Sequence, residues 1–161
     1  MKIVWTFTNK GELNKSQFLD YVERKVFRTI RKYQILSKNK KIILTRAQDL
    51  NTNVLKKILQ TKFQVETSAK PNISSENLSQ IAENIFKNIL EGKFTSLLLN
   101  TNTPLLYLSD KEIELYAKLK NIKGTKRKEN KKIQALFKKF LKKNQDLELN
   151  ILKAYSQLNE K

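Results

Sequence analysis

The sequence predicts an α/β fold in which a small parallel sheet with flanking helices is followed by a basic helical part. Strand patterns at 2–8, 42–44, 63–65 and 97–99 alternate with segments whose apolar residues recur every three or four positions. Such alternation is typical of parallel sheets, because each parallel connection needs a crossover helix. After Pro104 the chain carries only helical patterns. We therefore place a reduced α/β core in 1–103 and a basic all-helical region in 104–161.

A strand and a basic helix precede the first buried strand. Residues 2–8 alternate apolar and polar side chains, a period of two that is typical of a strand. Asn14 and Gln17 have the spacing of a capping box, so we predict that a helix begins there. Its apolar residues continue at helical spacing, and we expect it to run to about Leu36.

Five further helices are marked by caps and by apolar spacing, and the first of them carries Val54, Leu55, Ile58 and Leu59. Ser74-Ser75 are expected to open a helix that ends at Gly92, and Ser109 with Glu112 forms a second capping box. Two more helices are predicted at 129–143 and around 151–158. Residues expected to face the core of the C-terminal helices include Tyr116, Leu136, Phe137, Phe140, Tyr155 and Leu158.

The composition excludes several kinds of chemistry. The 161 residues include no cysteine and no histidine, so disulfides, thiolate nucleophiles, Cys/His zinc sites and iron–sulfur clusters are ruled out. General acid or base catalysis is left to carboxylates, lysines and tyrosines. We expect no cofactor and no metal ion. Because the chain has no apolar run of about 18 residues and no secretory signal pattern, we expect a cytoplasmic protein without a membrane partner.

Basic residues are concentrated in two clusters. The formal net charge is +18. Eight basic residues and no acid lie between Arg24 and Lys41, and twelve basic residues with one acid, Glu129, lie between Lys118 and Lys143. Such clusters attract polyanions, because phosphate binding releases counterions. RNA is the polyanion we expect, although a merely solvated basic surface would have the same composition.

The candidate RNA-binding residues are basic side chains of these two clusters. In the first cluster they are Arg24, Lys25, Arg28, Arg31 and Lys32. In the second cluster they are Lys118, Lys120, Lys123, Lys126, Arg127, Lys128, Lys131, Lys132, Lys138, Lys139, Lys142 and Lys143.

The turn after the first buried strand lacks glycine. Residues 45–50 read Thr-Arg-Ala-Gln-Asp-Leu, and no glycine occurs between Gly11 and Gly92. A turn that binds nucleotide phosphates needs backbone without a Cβ, so that amide groups can approach the oxygens. Asp49 and Glu76 are the two acidic residues that could be remnants of a nucleotide or metal site.

Four segments resemble, in order, one enzyme family. Residues 11–36, which include Arg-Thr-Ile-Arg-Lys-Tyr-Gln-Ile-Leu, are similar to "GE-LCxxCF…FExKVxRTIRKYKLL". Residues 77–92 resemble "GHNLDDEAQTILMNLLRGD", 104–122 resemble "PLRYIPEKEVALYALLNGI", and 141–158 resemble "FLxxLExxxPGxxxNILRxFxKL". These patterns are similar to the ATP-pyrophosphatase-type tRNA thiolation enzymes of archaea and eukaryotes, the TtuA/Ctu type. The resemblance implies a Rossmann-like fold of the adenine nucleotide alpha hydrolase kind, and tRNA as a partner.

The resemblance breaks at the positions where the family has its chemistry. The zinc-binding CxxC aligns with 14–17, Asn-Lys-Ser-Gln, and the SGGKDS phosphate loop aligns with 45–50. The family's histidine aligns with Glu76, and its Asp-Asp pair aligns with Ser79-Gln80. No cysteine is present to hold a cluster or carry sulfur. The resemblance therefore implies a shortened, degenerate member that keeps packing positions and lacks chemical ones.

We therefore expect a non-catalytic protein that binds tRNA, a catalytic thiolation paralog, or both. The paralog is an analogy with eukaryotic thiolation, in which an active subunit pairs with an inert homologue. Two alternatives stay open. One is a reduced ATP-dependent tRNA sulfurtransferase that uses Asp49, and the other is a stand-alone basic RNA-binding or ribosome-associated protein. The sequence does not specify the tRNA or the oligomeric state.

Overall fold

The computed structural model describes residues 1–36, 41–93 and 102–159, which form six helices and four strands. In chain order the elements are β1 (Ile3–Thr6), β2 (Glu12–Asn14), α1 (Lys15–Lys32), β3 (Lys41–Thr45), α2 (Leu50–Leu59), β4 (Gln64–Ser68), α3 (Leu78–Leu90), α4 (Asp110–Lys120), α5 (Lys131–Leu141) and α6 (Leu147–Asn159).

The described strands form two separate pairs. Strands β3 and β4 are parallel, with Ile42 opposite Val65, which confirms the small parallel sheet. Strands β1 and β2 form an antiparallel hairpin, with Trp5 opposite Leu13. The N-terminal strand therefore pairs locally with β2, and our prediction that it belongs to the parallel alternation was wrong. The predicted strand at 97–99 lies outside the described residues.

The helix starts follow their caps. The capping box of Asn14 and Gln17 is confirmed, as is that of Ser109 and Glu112. Helix α3 begins later than predicted, because Asn77 rather than a serine accepts the N–H of the third helical residue. The serines bond elsewhere, and Ser75 Oγ lies 2.8 Å from Thr52 Oγ1 on α2.

Three helices end at a residue in the left-handed region of φ. After α1 this residue is Gln34, with φ of 49°, after α3 it is Gly92, with 72°, and after α4 it is Asn121, with 54°. At the end of α1, the Ile35 N–H donates to the carbonyl of Ile30 at 3.1 Å, as a Schellman turn requires. The end at Gly92 is confirmed, whereas α1 stops at Lys32 rather than near Leu36.

The helices share three packed clusters. The largest joins α1, β3, α2 and α4 and includes Phe18, Ile42, Leu55 and Tyr116, each at most 1% exposed. A second cluster joins α3 to α6, and a third joins α3 to α5. Helix α4 therefore packs against α1 and α2, whereas α5 and α6 pack against α3.

Three apolar residues predicted as core are on the surface. Leu136 is 42% exposed, Phe140 is 60% exposed and Leu158 is 74% exposed, so these three predictions were wrong. Phe137, Tyr116 and Tyr155 are buried as predicted. Among the described helices, none is both long and apolar enough to cross a membrane.

Candidate nucleic-acid interface

The turn between β3 and α2 ends in a carboxylate that caps the helix. Asp49 Oδ2 accepts the Thr52 N–H at 2.9 Å, and Asp49 Oδ1 accepts the Thr52 hydroxyl at 2.8 Å. A helix N-terminus attracts anions through its free N–H groups and its dipole. In this chain, a side-chain anion already holds that position. Asp49 therefore acts as a helix cap.

The chain itself covers the same helix end from the other side. The Leu50 N–H donates to the Thr125 carbonyl at 2.8 Å, and the Thr125 N–H donates to the Gln48 carbonyl at 3.0 Å. Gly124, which precedes Thr125, lies so close to the start of α2 that a Cβ added to it would be 2.7 Å from the Leu50 nitrogen. Because backbone groups are paired here, residues 123–125 fill the space in which a phosphate would have to contact the turn. We call this segment the α2 cover.

Ser79, which aligns with the first residue of the Asp-Asp pair in the resembled family, makes contacts inside the protein. Ser79 is 1% exposed; its hydroxyl donates to Glu148 Oε2 at 2.6 Å and accepts the Asp110 N–H at 2.9 Å. Burial raises the pKa of Glu148, and the Ser79 hydrogen bond opposes that rise. The Ser79 hydroxyl thus joins α3 to α6 and to the start of α4.

Arg127 does not lie on the basic surface. Its side chain is 10% exposed, and its guanidinium bonds Asp110 at 2.8 to 3.0 Å and Glu83 at 3.0 Å. Burial disfavours the charged guanidinium, but hydrogen bonds to the two carboxylates outweigh burial and raise the pKa of Arg127. Glu83 also accepts the Gln134 amide at 2.6 Å. Arg127 therefore joins α3 to α4, and Glu83 links this pair to α5, so we leave Arg127 out of the candidate interface.

Two cations of the first cluster also make internal contacts. Lys25 Nζ donates to the Tyr107 carbonyl and to Glu112 Oε1, both at 3.0 Å. Lys32 Nζ lies over the rings of Tyr33 and Tyr107, at 5.2 and 5.4 Å from their centroids. Lys25 is half-buried, so we leave it out as well, whereas Lys32 is exposed and stays in the set.

The other candidate cations are all exposed. Three have acidic neighbours: Arg24 pairs with Asp20, Lys126 with Glu114, and Lys120 Nζ lies 3.8 Å from Glu23. Surface pairs of this kind contribute little to stability and leave their cations accessible. Within the described parts of the chain, the remaining ones have no ion-pair partner: Arg28, Arg31, Lys32, Lys118, Lys123, Lys128, Lys131, Lys132, Lys138, Lys139, Lys142 and Lys143.

A cleft of about 930 Å³ lies between the N-terminal hairpin and the C-terminal helices. Trp5 and Tyr21 line one side, and Lys138 and Lys142 of the basic region line another. Glu148 and other carboxylates also contribute, so the lining carries both signs of charge. No sequence pattern indicates this cleft, because its walls come from segments far apart in the chain.

No family model matches the chain, and no curated protein matches it by sequence. Among solved structures, it is similar to the U34-tRNA thiolase NcsA from Methanococcus maripaludis, whose structure contains a [4Fe-4S] cluster. The TM-score is 0.78 at 13% sequence identity, and the match covers 98% of this chain and 84% of the thiolase. At this identity the match shows the fold alone: the chain has the fold of this tRNA thiolase.

Proposed function

We propose that this chain binds tRNA through its two basic clusters and takes part in tRNA thiolation without performing the chemistry itself. The observation that carries the proposal is the set of exposed cations on α1 and between Lys118 and Lys143, on a fold shared with a tRNA thiolase. Most of them have no ion-pair partner among the described residues. Cations of this kind neutralise phosphates and set the position of an RNA without reading its sequence.

Two features of this chain argue against a reaction on its own residues: the start of α2 is occupied, and there is no cysteine. Asp49 and the α2 cover satisfy N–H groups at the start of α2, so a triphosphate would meet a carboxylate and bonded backbone there. A thiolate-held cluster does not fit the residues present, because the chain has no cysteine. A partner would have to supply the chemistry. We propose that this partner is a catalytic thiolation protein.

Titration of a fluorescent tRNA with charge-reversal variants tests the RNA role. Arg28→Glu with Arg31→Glu tests the first cluster, and Lys139→Glu with Lys143→Glu tests the second. Each double change should weaken binding at least tenfold. It should also make the slope of log K against log salt shallower, by roughly 0.7 to 0.9 for each phosphate that the variant no longer neutralises. Lys32 is left unchanged because it lies against two tyrosines.

Lys57→Glu with Lys70→Glu is the matched control. Both lysines are exposed and lie outside the two clusters, and the change in net charge is the same. If this control weakens tRNA binding as much as the cluster variants do, the chain binds polyanions by charge alone. A stand-alone basic protein would then be the better description.

Two further measurements separate the proposal from an enzyme. Calorimetry with ATP and Mg²⁺ should give no saturable heat that depends on Asp49, because the α2 terminus is occupied by the chain itself. Saturable heat that disappears in Asp49→Ala would favour a reduced sulfurtransferase instead. Affinity purification from the native host should recover a second, cysteine-containing protein together with tRNA.

A further inference from the structure

The outer face of α5 combines lysines with two exposed apolar side chains. Phe140 is 60% exposed and Leu136, one turn before it, is 42% exposed. The inner face of the helix is complete without them, because Ile133 and Phe137 are buried against α3. Phe140 therefore has no packing role that the core requires.

Exposed lysines lie next to Phe140 along the chain. Lys139 precedes Phe140, and Lys143 lies three residues later, on a turn held by the hydrogen bond from the Lys143 N–H to the Phe140 carbonyl at 3.0 Å. Residues three or four apart lie next to each other on a helix, so Leu136 and Lys143 flank the ring. Lys132 continues the row at the start of the helix. The positive charge near Phe140 disfavours binding of a cationic partner and favours binding of a polyanion.

An aromatic ring between phosphate-binding cations is the arrangement used to hold unpaired nucleotides. Each base has a π face, so stacking is tolerant of sequence, while the cations neutralise the adjacent phosphates. A duplex offers phosphates but keeps its bases stacked on each other, and an exposed ring on a helix cannot reach them. The ring therefore discriminates between looped and paired RNA, which lysines alone do not.

We propose that Phe140 stacks on an unpaired base of a single-stranded or looped RNA segment, with Lys139 and Lys143 on the flanking phosphates. The inference rests on the proposed RNA role and adds the structural class of RNA that α5 binds. An anionic membrane has charge but no bases to stack, so it is an alternative that the test distinguishes.

The test uses an RNA hairpin with 2-aminopurine in its unpaired loop and a duplex of the same length without a loop. Phe140→Ala should weaken hairpin binding about five- to tenfold, near the lower end of the stacking range because the ring is on the surface. Duplex binding should be unchanged. The wild-type protein should quench the 2-aminopurine, and Phe140→Ala should abolish the quenching.

Substitutions at the same position separate stacking from apolar contact. Phe140→Trp should retain hairpin affinity and quenching, and Phe140→Leu should remove both. The slope of log K against log salt should stay the same in Phe140→Ala and become shallower in Lys139→Gln with Lys143→Gln, because only the lysines release counterions. Leu158→Ala, which removes another exposed apolar side chain, should have no effect.

Three outcomes would overturn the inference. These are a Phe140→Leu variant that binds the hairpin like wild type, an equal weakening on hairpin and duplex, and Phe140-dependent binding to vesicles of anionic lipid without any preference for looped RNA. If one of these three outcomes occurs and the lysine variants still weaken binding of both RNAs, the stacking inference fails while the RNA role stands. If no variant affects either RNA, the proposed function fails as well.

Discussion

At the scale of single residues, Arg127 shows that a basic run can contain a structural member. Lysine has one compact charge, whereas the planar guanidinium can bond two carboxylates in a fixed geometry. Arg127 uses this geometry to bond Asp110 and Glu83, which belong to two different helices. A side chain that extends the basic run in the sequence is therefore part of the protein interior.

Replacing Arg127 should destabilise the fold strongly. Arg127→Met leaves two carboxylates poorly solvated without their cation, and the expected decrease in the free energy of unfolding is about 3 to 5 kcal/mol. Urea denaturation followed by circular dichroism measures this decrease. Lys128→Met, at the exposed neighbouring position, should change stability by no more than about 0.5 kcal/mol. A similar small effect for both variants would show that the ion pairs contribute little.

Glu148 should make stability fall as the pH rises. Its pKa is raised in the fold, so the folded state holds the proton more tightly than the unfolded chain does. The stabilisation is complete below pH 4.5, the ordinary value, and disappears as the pH rises through the raised pKa. Glu148→Gln removes this dependence, so its melting temperature relative to wild type should increase from pH 4.5 to neutral pH. If the melting temperatures of Glu148→Gln and wild type differ by the same amount at every pH in that range, Glu148 does not cause the pH dependence.

The roles of these residues were only partly predictable from sequence. Arg127 lies among lysines and resembles one more surface cation; the one signal that distinguishes it is that no other arginine follows Arg46. Phe140 lies at a spacing that fits a buried helix face, and only the placement of α3 and α6 leaves it outside. Residue identity suggests chemistry, but neighbours from distant segments decide which groups are buried.

At the scale of elements, local signals predicted helix starts better than strand partners. The capping boxes at Asn14 and Ser109 depend on residues three positions apart, so the sequence contains all the information. The partner of β1 depends on a hairpin that returns through Gly11, and the period of residues 2–8 cannot show it. The α2 cover is less predictable still, because it comes from a segment far along the chain, where Thr125 bridges to Asp49.

Gly124→Ala should destabilise the contact between the α2 cover and α2. An added Cβ would lie 2.7 Å from backbone atoms of Leu50, so the cover must move away and break its two hydrogen bonds. The expected decrease is about 1 to 3 kcal/mol in the free energy of unfolding. Gly11→Ala is the control, because its new Cβ would meet only side-chain atoms, at 3.2 and 3.4 Å. If Gly124→Ala and Gly11→Ala lower the free energy of unfolding equally, the close approach of Gly124 to Leu50 is not what destabilises the variant.

At the scale of the whole molecule, the net charge of +18 acts on stability and on binding in opposite directions. Like charges on a compact surface repel, which destabilises the folded state at low salt. The same charges attract phosphates most strongly at low salt. Salt should therefore stabilise the free protein while weakening its complex with RNA.

A salt series tests these opposite dependences. Between about 0.05 and 0.2 M salt, the melting temperature of the free protein should rise as screening increases. The affinity for tRNA should fall about 10³-fold or more over the same range if about six or more phosphates are neutralised. Scanning fluorimetry and fluorescence anisotropy measure the two quantities in the same buffers. An affinity that does not depend on salt would exclude the proposed phosphate contacts.

The anchoring of residues 123–128 has a consequence for enzymes that cut after basic residues. Trypsin cleaves backbone that can adopt an extended conformation free of other contacts. A run of Lys126, Arg127 and Lys128 in a flexible segment would therefore be among the first sites that it cuts. Here Thr125 is bonded to residues 48 and 50, and the Arg127 side chain is buried in its carboxylate pair. We therefore expect limited digestion to spare this stretch in the native protein and to cut it at once after Gly124→Ala and Arg127→Met are combined.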